Sequence, residues 1–156
     1  MAKAPGKIEN SITHDVVVCR EDEKYAKTLA YLNSQGDEDR ILIFVETQKG
    51  CEQLNSSLHN DKFKTQAVHS GITTKEKHFI FNKFRQRATT ILCMTNNATR
   101  GFVVEDTSMV INYDFPNDTD SYIRRVEIIS RGGKSGKVAS WFSPTKDAKL
   151  ASSVIQ

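Results

Sequence analysis

Residues 95–136 read TNNATRGFVVEDTSMVINYDFPNDTDSYIRRVEIISRGGKSG, and this stretch decides the fold class. Inside it, residues 109–113 form an almost unbroken apolar run closed by Asp114 and Pro116. A short apolar run bounded by turn residues reads as a strand buried on both faces. Residues 119–129 follow with helical spacing, then the glycines at 132 and 133, then the apolar strand pattern 138–142. Strand, helix and strand at these lengths make a crossover unit of a parallel sheet.

The same alternation extends toward the N-terminus. Strand patterns fall at 15–19, 41–46, 65–69 and 90–94, and helical patterns at 21–34, 49–60 and 73–87. Thr73 and Glu76 have capping-box spacing ahead of an apolar face predicted at Phe79, Ile80 and Phe84. The expected fold is α/β, a doubly wound and mostly parallel sheet. Such sheets bind ligands beyond the carboxyl ends of their strands. Those ends predict a site among Glu46, Thr47, His69, Ser70, Gly71, Thr95, Asn96, Asp114, Phe115 and Pro116. Gly132, Gly133, Lys134 and Ser135 contain a G-K-S sequence, but a helix precedes it and a strand follows. A phosphate-cradling loop needs the opposite order and a glycine at Ile128. The glycines therefore read as a turn.

With 156 residues the chain suits one domain, assigned to 10–156, after a disordered lead-in at 1–9. A composition 38% hydrophobic and 26% charged is that of an ordinary globular protein. The net charge of +3 is too small for a bulk argument about nucleic acid, so any such surface must be local. Cys19, Cys51 and Cys93 have neither disulfide nor zinc spacing and read as reduced packing thiols of an intracellular protein. No pair of histidines has metal-ligand spacing on one helix face, so no metal site is expected. Apolar runs such as 41–45 are too short to cross a bilayer. Trp141 and Phe142 lie in an apolar strand and read as core.

Against this frame the residues of 95–136 resemble motifs V and VI of DEAD-box RNA helicases. Thr95, Ala98, Arg100 and Gly101 match the first motif. Val110, Ile111, Asn112, Tyr113, Asp114 and Pro116 match the strand that follows, and Tyr122, Arg125 and Arg131 match the second. The strand 41–47 is similar to motif IV, and 69–96 aligns with the family without a gap. The resemblance covers almost everything after Ile8 and is nearest in wording to p68-like helicases. It identifies the chain as a RecA-like C-terminal helicase domain.

By that resemblance RNA contacts are expected from Thr47, His69, Ser70, Gly71, Lys77, Thr95, Arg100 and Gly101, and Arg125 and Arg131 are expected to face ATP. Several family positions are altered. Val103 stands where an aspartate would meet the ATP ribose, and valine accepts no hydrogen bond. Ile128 stands at the first arginine finger, leaving Arg131 as a residual second one. Losing a finger costs roughly 10³ to 10⁵ in rate in related enzymes. Asn96, Arg124 and Glu127 replace an aspartate, a histidine and a glycine, while Thr74 and Lys77 replace a glutamine and an arginine. Confident catalytic residues are none, and no cofactor is assigned to this chain alone. ATP and Mg would enter only with an N-terminal RecA-like domain.

Two functions follow from the resemblance. The first is a degenerate helicase domain serving as an RNA-binding or protein-interaction scaffold in a ribonucleoprotein assembly. Yb-type Tudor-helicase proteins of small-RNA (piRNA) silencing are the model for it. The second is the C-terminal half of an active ATP-dependent RNA helicase. The expected partners are single-stranded RNA, the N-terminal RecA-like domain, and protein partners or a second copy. Arg124 and Arg125 are expected to share a basic surface. The expected location is a cytoplasmic ribonucleoprotein granule, with the nucleus as the alternative.

Overall fold

The computed structural model describes residues 12–36, 39–96, 107–116, 118–130 (backbone alone at 128–130) and 136–144. The lead-in at 1–9 lies outside the described residues. Along the chain run β1 (Ile12–Val18), α1 (Lys24–Asn33), β2 (Arg40–Phe44), α2 (Gln48–Asn60), β3 (Thr65–Val68), α3 (Thr74–Arg85), β4 (Ile91–Met94), β5 (Thr107–Asn112), α4 (Thr119–Ser130) and β6 (Gly136–Phe142). The strands form one sheet of order β1-β6-β5-β2-β4-β3. Every pairing is parallel.

The apolar runs have their expected consequence. All residues of β2 and β4 are buried, because helices cover both faces of the sheet. Ile41, Ile43 and Val45 point into a cluster with Leu32 of α1 and Cys51, Leu54 and Leu58 of α2. Leu42 and Phe44 alternate to the other side and meet Phe81 and Phe84 of α3, with Tyr122 and Val126 of α4 packed against them. Trp141 is fully buried, and its Nε1 donates to Thr28 Oγ1 at 3.0 Å. The three thiols are buried and unpaired.

Two sequence expectations shift. β1 starts at Ile12 and not at 15, because its ladder with β6 begins at the Ile12↔Gly136 pair. Cys19 has left the strand, although its N–H still donates to Phe142 O at 3.0 Å. The larger correction concerns α3. Its capping box forms as expected, with Thr73 Oγ1 accepting from Glu76 N and Glu76 Oε1 accepting from Thr73 N. The apolar face, however, is carried by Phe81 and Phe84, while Phe79 is 62% exposed. Ile80, Phe81 and Phe84 share one helical stripe, and Phe79 lies about a quarter-turn or more away from it.

This difference is measurable. Phe84→Ala is expected to lower the unfolding free energy by about 3–5 kcal/mol, as deletion of a buried aromatic does. Phe79→Ala should stay within about 0.5 kcal/mol of the parent, the usual range for a surface change. Urea titration followed by circular dichroism reads both.

Candidate functional site

β2 and β5 are neighbours in the sheet, yet the chain leaves β2 toward α2 on one face and β5 toward α4 on the other. The diverging connections open a crevice at the carboxyl ends, the usual ligand position in such sheets. Asp114 spans its floor. One carboxylate oxygen accepts the Glu46 N–H at 2.7 Å. The other accepts from Lys24 Nζ at 3.0 Å. Lys24 is 1% exposed and also reaches Glu21 Oε2 at 3.1 Å. A buried ammonium persists only where carboxylates compensate it, so α1 is tied to the crevice by charge as well as by packing.

On the α1 and α2 side a cleft of about 360 Å³ opens between Tyr25, Thr47, Gly50, Gln53 and Tyr113. Burial pushes the Tyr113 phenol up to about 12. Burial, helped by a 2.6 Å hydrogen bond to Asp61, also raises Tyr25 above its ordinary range. Both phenols are neutral near pH 7. They offer contact surface and hydrogen bonds, not acid–base chemistry.

Toward β3 the carboxyl edge carries most of the predicted RNA set. Thr47 caps α2, its Oγ1 accepting from Gly50 N at 3.0 Å. His69 directly follows β3 and is 7% exposed. Its Nδ1 accepts from Gly71 N at 3.0 Å, so Nε2 carries the proton and donates to Glu52 Oε2 at 2.6 Å. Ser70 Oγ accepts from Gln48 Nε2 at 2.6 Å. A Cβ at Gly71 would sit 2.9 Å from Gln48 Oε1 and 3.0 Å from the His69 ring, so a larger residue there would displace the Gln48 amide and crowd the imidazole. Thr95 follows β4, its N–H donating to Val68 O at 3.3 Å. Strand order thus gathers Thr47, His69, Ser70, Gly71 and Thr95 along one edge, with Lys77 in the first turn of α3. Arg100, Gly101 and Val103 lie outside the described residues.

Arg125 corrects an expectation. Expected from the resemblance to face ATP, it turns into the sheet with 6% exposure, its guanidinium 4.4 Å from the Phe44 ring centroid. One terminal nitrogen donates to Asn112 Oδ1 at 2.7 Å and the other to Asn96 Oδ1 at 2.9 Å. Asn112 passes its own donor to Ser140 Oγ at 2.9 Å, and Asn96 donates to Ser121 Oγ at 3.2 Å. Burial lowers the Arg125 pKa to about 10, which leaves it charged at neutral pH. Arg124 is exposed, so the two arginines diverge and share no surface. Arg131 and the Ile128 side chain lie outside the described residues.

Gln48, Glu52, Lys24 and Asn112 belong to the site but were not singled out for it. Their contacts cross 13 to 90 residues of chain and leave no local spacing to find. Among the described residues no three His, Cys, Asp or Glu side chains gather as a metal site.

The fold defines a RecA-like α/β domain, in which loops at a strand-order switch carry the residues of this edge. The chain belongs to the helicase conserved C-terminal domain family, whose model matches residues 23–133, and its relatives and structural neighbours are DEAD-box proteins. It is 33% identical over 155 residues to the probable ATP-dependent RNA helicase ddx17 of Dictyostelium discoideum, covering 97% of this chain and 20% of that protein. To DEAD-box ATP-dependent RNA helicase 46 of Arabidopsis thaliana it is 35% identical over 146 residues, covering 94% and 22%. The crystal structure of a DEAD box protein from the hyperthermophile Methanococcus jannaschii superposes with a TM-score of 0.83 at 29% identity, over 94% of this chain and 40% of that one. The C-terminal domain of the DEAD-box protein Dbp5 gives 0.80 at 26% identity, over 92% and 83%. The chain spans about a fifth of the two curated relatives.

Asp114→Ala would leave the buried Lys24 ammonium with only the exposed Glu21 carboxylate and the Glu46 N–H without its side-chain acceptor. Removing one partner of such a pair costs about 3–5 kcal/mol, and chemical denaturation should read a loss of that size. A change below about 1 kcal/mol, the range of an exposed pair, would show that the crevice does not depend on this contact.

Proposed function

We propose that the chain is an RNA-holding domain of a ribonucleoprotein assembly, built on a helicase framework and not itself equipped for normal ATP hydrolysis. The observation that carries the reading is the prepared carboxyl edge, where Thr47, the 69–71 turn and Thr95 are fixed by their own hydrogen bonds. Residues held in place lose little freedom when a strand of RNA binds, which preserves affinity. On the ATP side, Val103 offers no acceptor for a ribose hydroxyl and Ile128 no charge for a γ-phosphate. Arg125 spends two donors on Asn96 and Asn112. Small-RNA silencing in a cytoplasmic granule is one setting that fits such a domain.

A second reading keeps the chain as the C-terminal half of an active ATP-dependent RNA helicase. The names of the relatives favour it. An N-terminal RecA-like domain would then supply the phosphate-binding loop and the acidic motif. In a protein containing both domains, Val103→Asp with Ile128→Arg separates the readings. A parent without RNA-stimulated ATPase supports the scaffold, and a parent that already hydrolyses ATP removes it.

For the RNA edge, fluorescence anisotropy with a short single-stranded RNA should detect binding at low salt that weakens as salt rises, because phosphate contacts release counterions. Lys77→Ala should reduce the salt slope by about one phosphate contact. Gly71→Ala, by pushing Gln48 and His69 apart, should weaken binding while leaving the circular dichroism spectrum intact. Undetectable binding at low salt sinks the RNA role.

A further inference from the structure

Phe79 and the charge around it remain unexplained by the carboxyl edge. The ring is 62% exposed in the middle of α3. Lys83 Nζ lies 5.0 Å from its centroid. Lys75, Phe79 and Lys83 are spaced by four residues and so share one face of the helix, spanning about 12 Å at the helical rise. Lys77, Arg85 and Arg87 add to the same segment, and its single acid, Glu76, is spent on the capping box. Four cations against one acid give this helix a net charge of +3, equal to that of the whole chain, and Arg87 lies just beyond its end.

We infer that the outer face of α3 is a second contact for single-stranded RNA, a track that receives the strand after it leaves the 69–71 turn. The inference rests on the RNA reading above and extends its path. α3 starts at Thr74, capped by Thr73 directly after that turn, with Ile72 N–H still bonded to His69 O at 3.2 Å. A strand leaving the carboxyl edge meets Lys75 first, then Phe79, then Lys83. An exposed aromatic flanked by cations suits a base with phosphates on either side, since every base has a face to stack and every linkage a charge. A single ring on a convex helix gives an acidic peptide no groove to fill. An acidic segment also gains nothing from a planar ring in particular.

The test uses the full chain and two labelled oligouridylates, of about 6 and about 16 nucleotides, the span of single-strand site sizes. The longer RNA should bind more tightly. Lys75→Ala, Phe79→Ala and Lys83→Ala combined should weaken the long RNA roughly tenfold or more, from lost stacking and two lost phosphate contacts. The short RNA should be unaffected. Phe79→Trp should keep the long-RNA affinity, whereas Phe79→Leu should lose it. Equal binding of both lengths, or an unchanged long-RNA affinity in the triple variant, overturns the track. Full retention by Phe79→Leu also overturns it and marks Phe79 as a plain apolar contact for protein. Unchanged short-RNA binding by Gly71→Ala with the α3 effects intact would count against the carboxyl edge alone, so the two proposals fail separately.

Discussion

One carboxylate organises the working edge of this domain. Asp114 follows β5, yet its two oxygens hold the backbone of β2 at Glu46 and the side chain of Lys24 in α1. Three elements that the sequence separates widely are fixed by a single residue. The crevice between β2 and β5 exists because the chain diverges there, but divergence alone leaves a loose gap. The carboxylate sets its width. Because Lys24 is almost wholly buried, the arrangement has little tolerance, since neither charge can turn to solvent without opening the packing around it.

A second polar system lies on the opposite face, where Ser140, Asn112, Arg125, Asn96 and Ser121 connect β6, β5, α4 and the end of β4. Its acceptors toward Arg125 are neutral amides. A charged guanidinium held by amides and an aromatic face is stabilised less than one held by a carboxylate, and its lowered pKa reflects that burial. The group therefore acts as a brace between α4 and the sheet. An arginine at this position can be read from sequence as a phosphate ligand, and only its direction in space distinguishes the two roles.

The fold was legible because it rests on short-range signals. Apolar runs, several of them nearly continuous, indicated the six strands, and the capping box located the start of α3. The phase of α3 was harder to read. Phe79, Ile80, Phe81 and Phe84 crowd six positions, and more than one helical stripe can be drawn through them. At the site, the strand ends place Thr47, His69 and Thr95 along the carboxyl edge. The bonds that make them a unit, Gln48 to Ser70 and Glu52 to His69, span 22 and 17 residues. They depend on how two loops stack, a property that local pattern does not encode.

β1 has a consequence for the order in which the chain becomes a protein. It is the first described strand, but its ladder partner is β6, the last. During synthesis at about 5–20 residues per second, β1 must wait on the order of ten seconds for that partner to emerge. Throughout the wait Val16, Val17 and Val18 have no sheet to join. The strand is a valine-rich edge without proline, the kind of segment that pairs with whatever strand is nearest. The sheet cannot be completed before β6 has emerged, and until then the unpaired edge of β1 is open to misassembly.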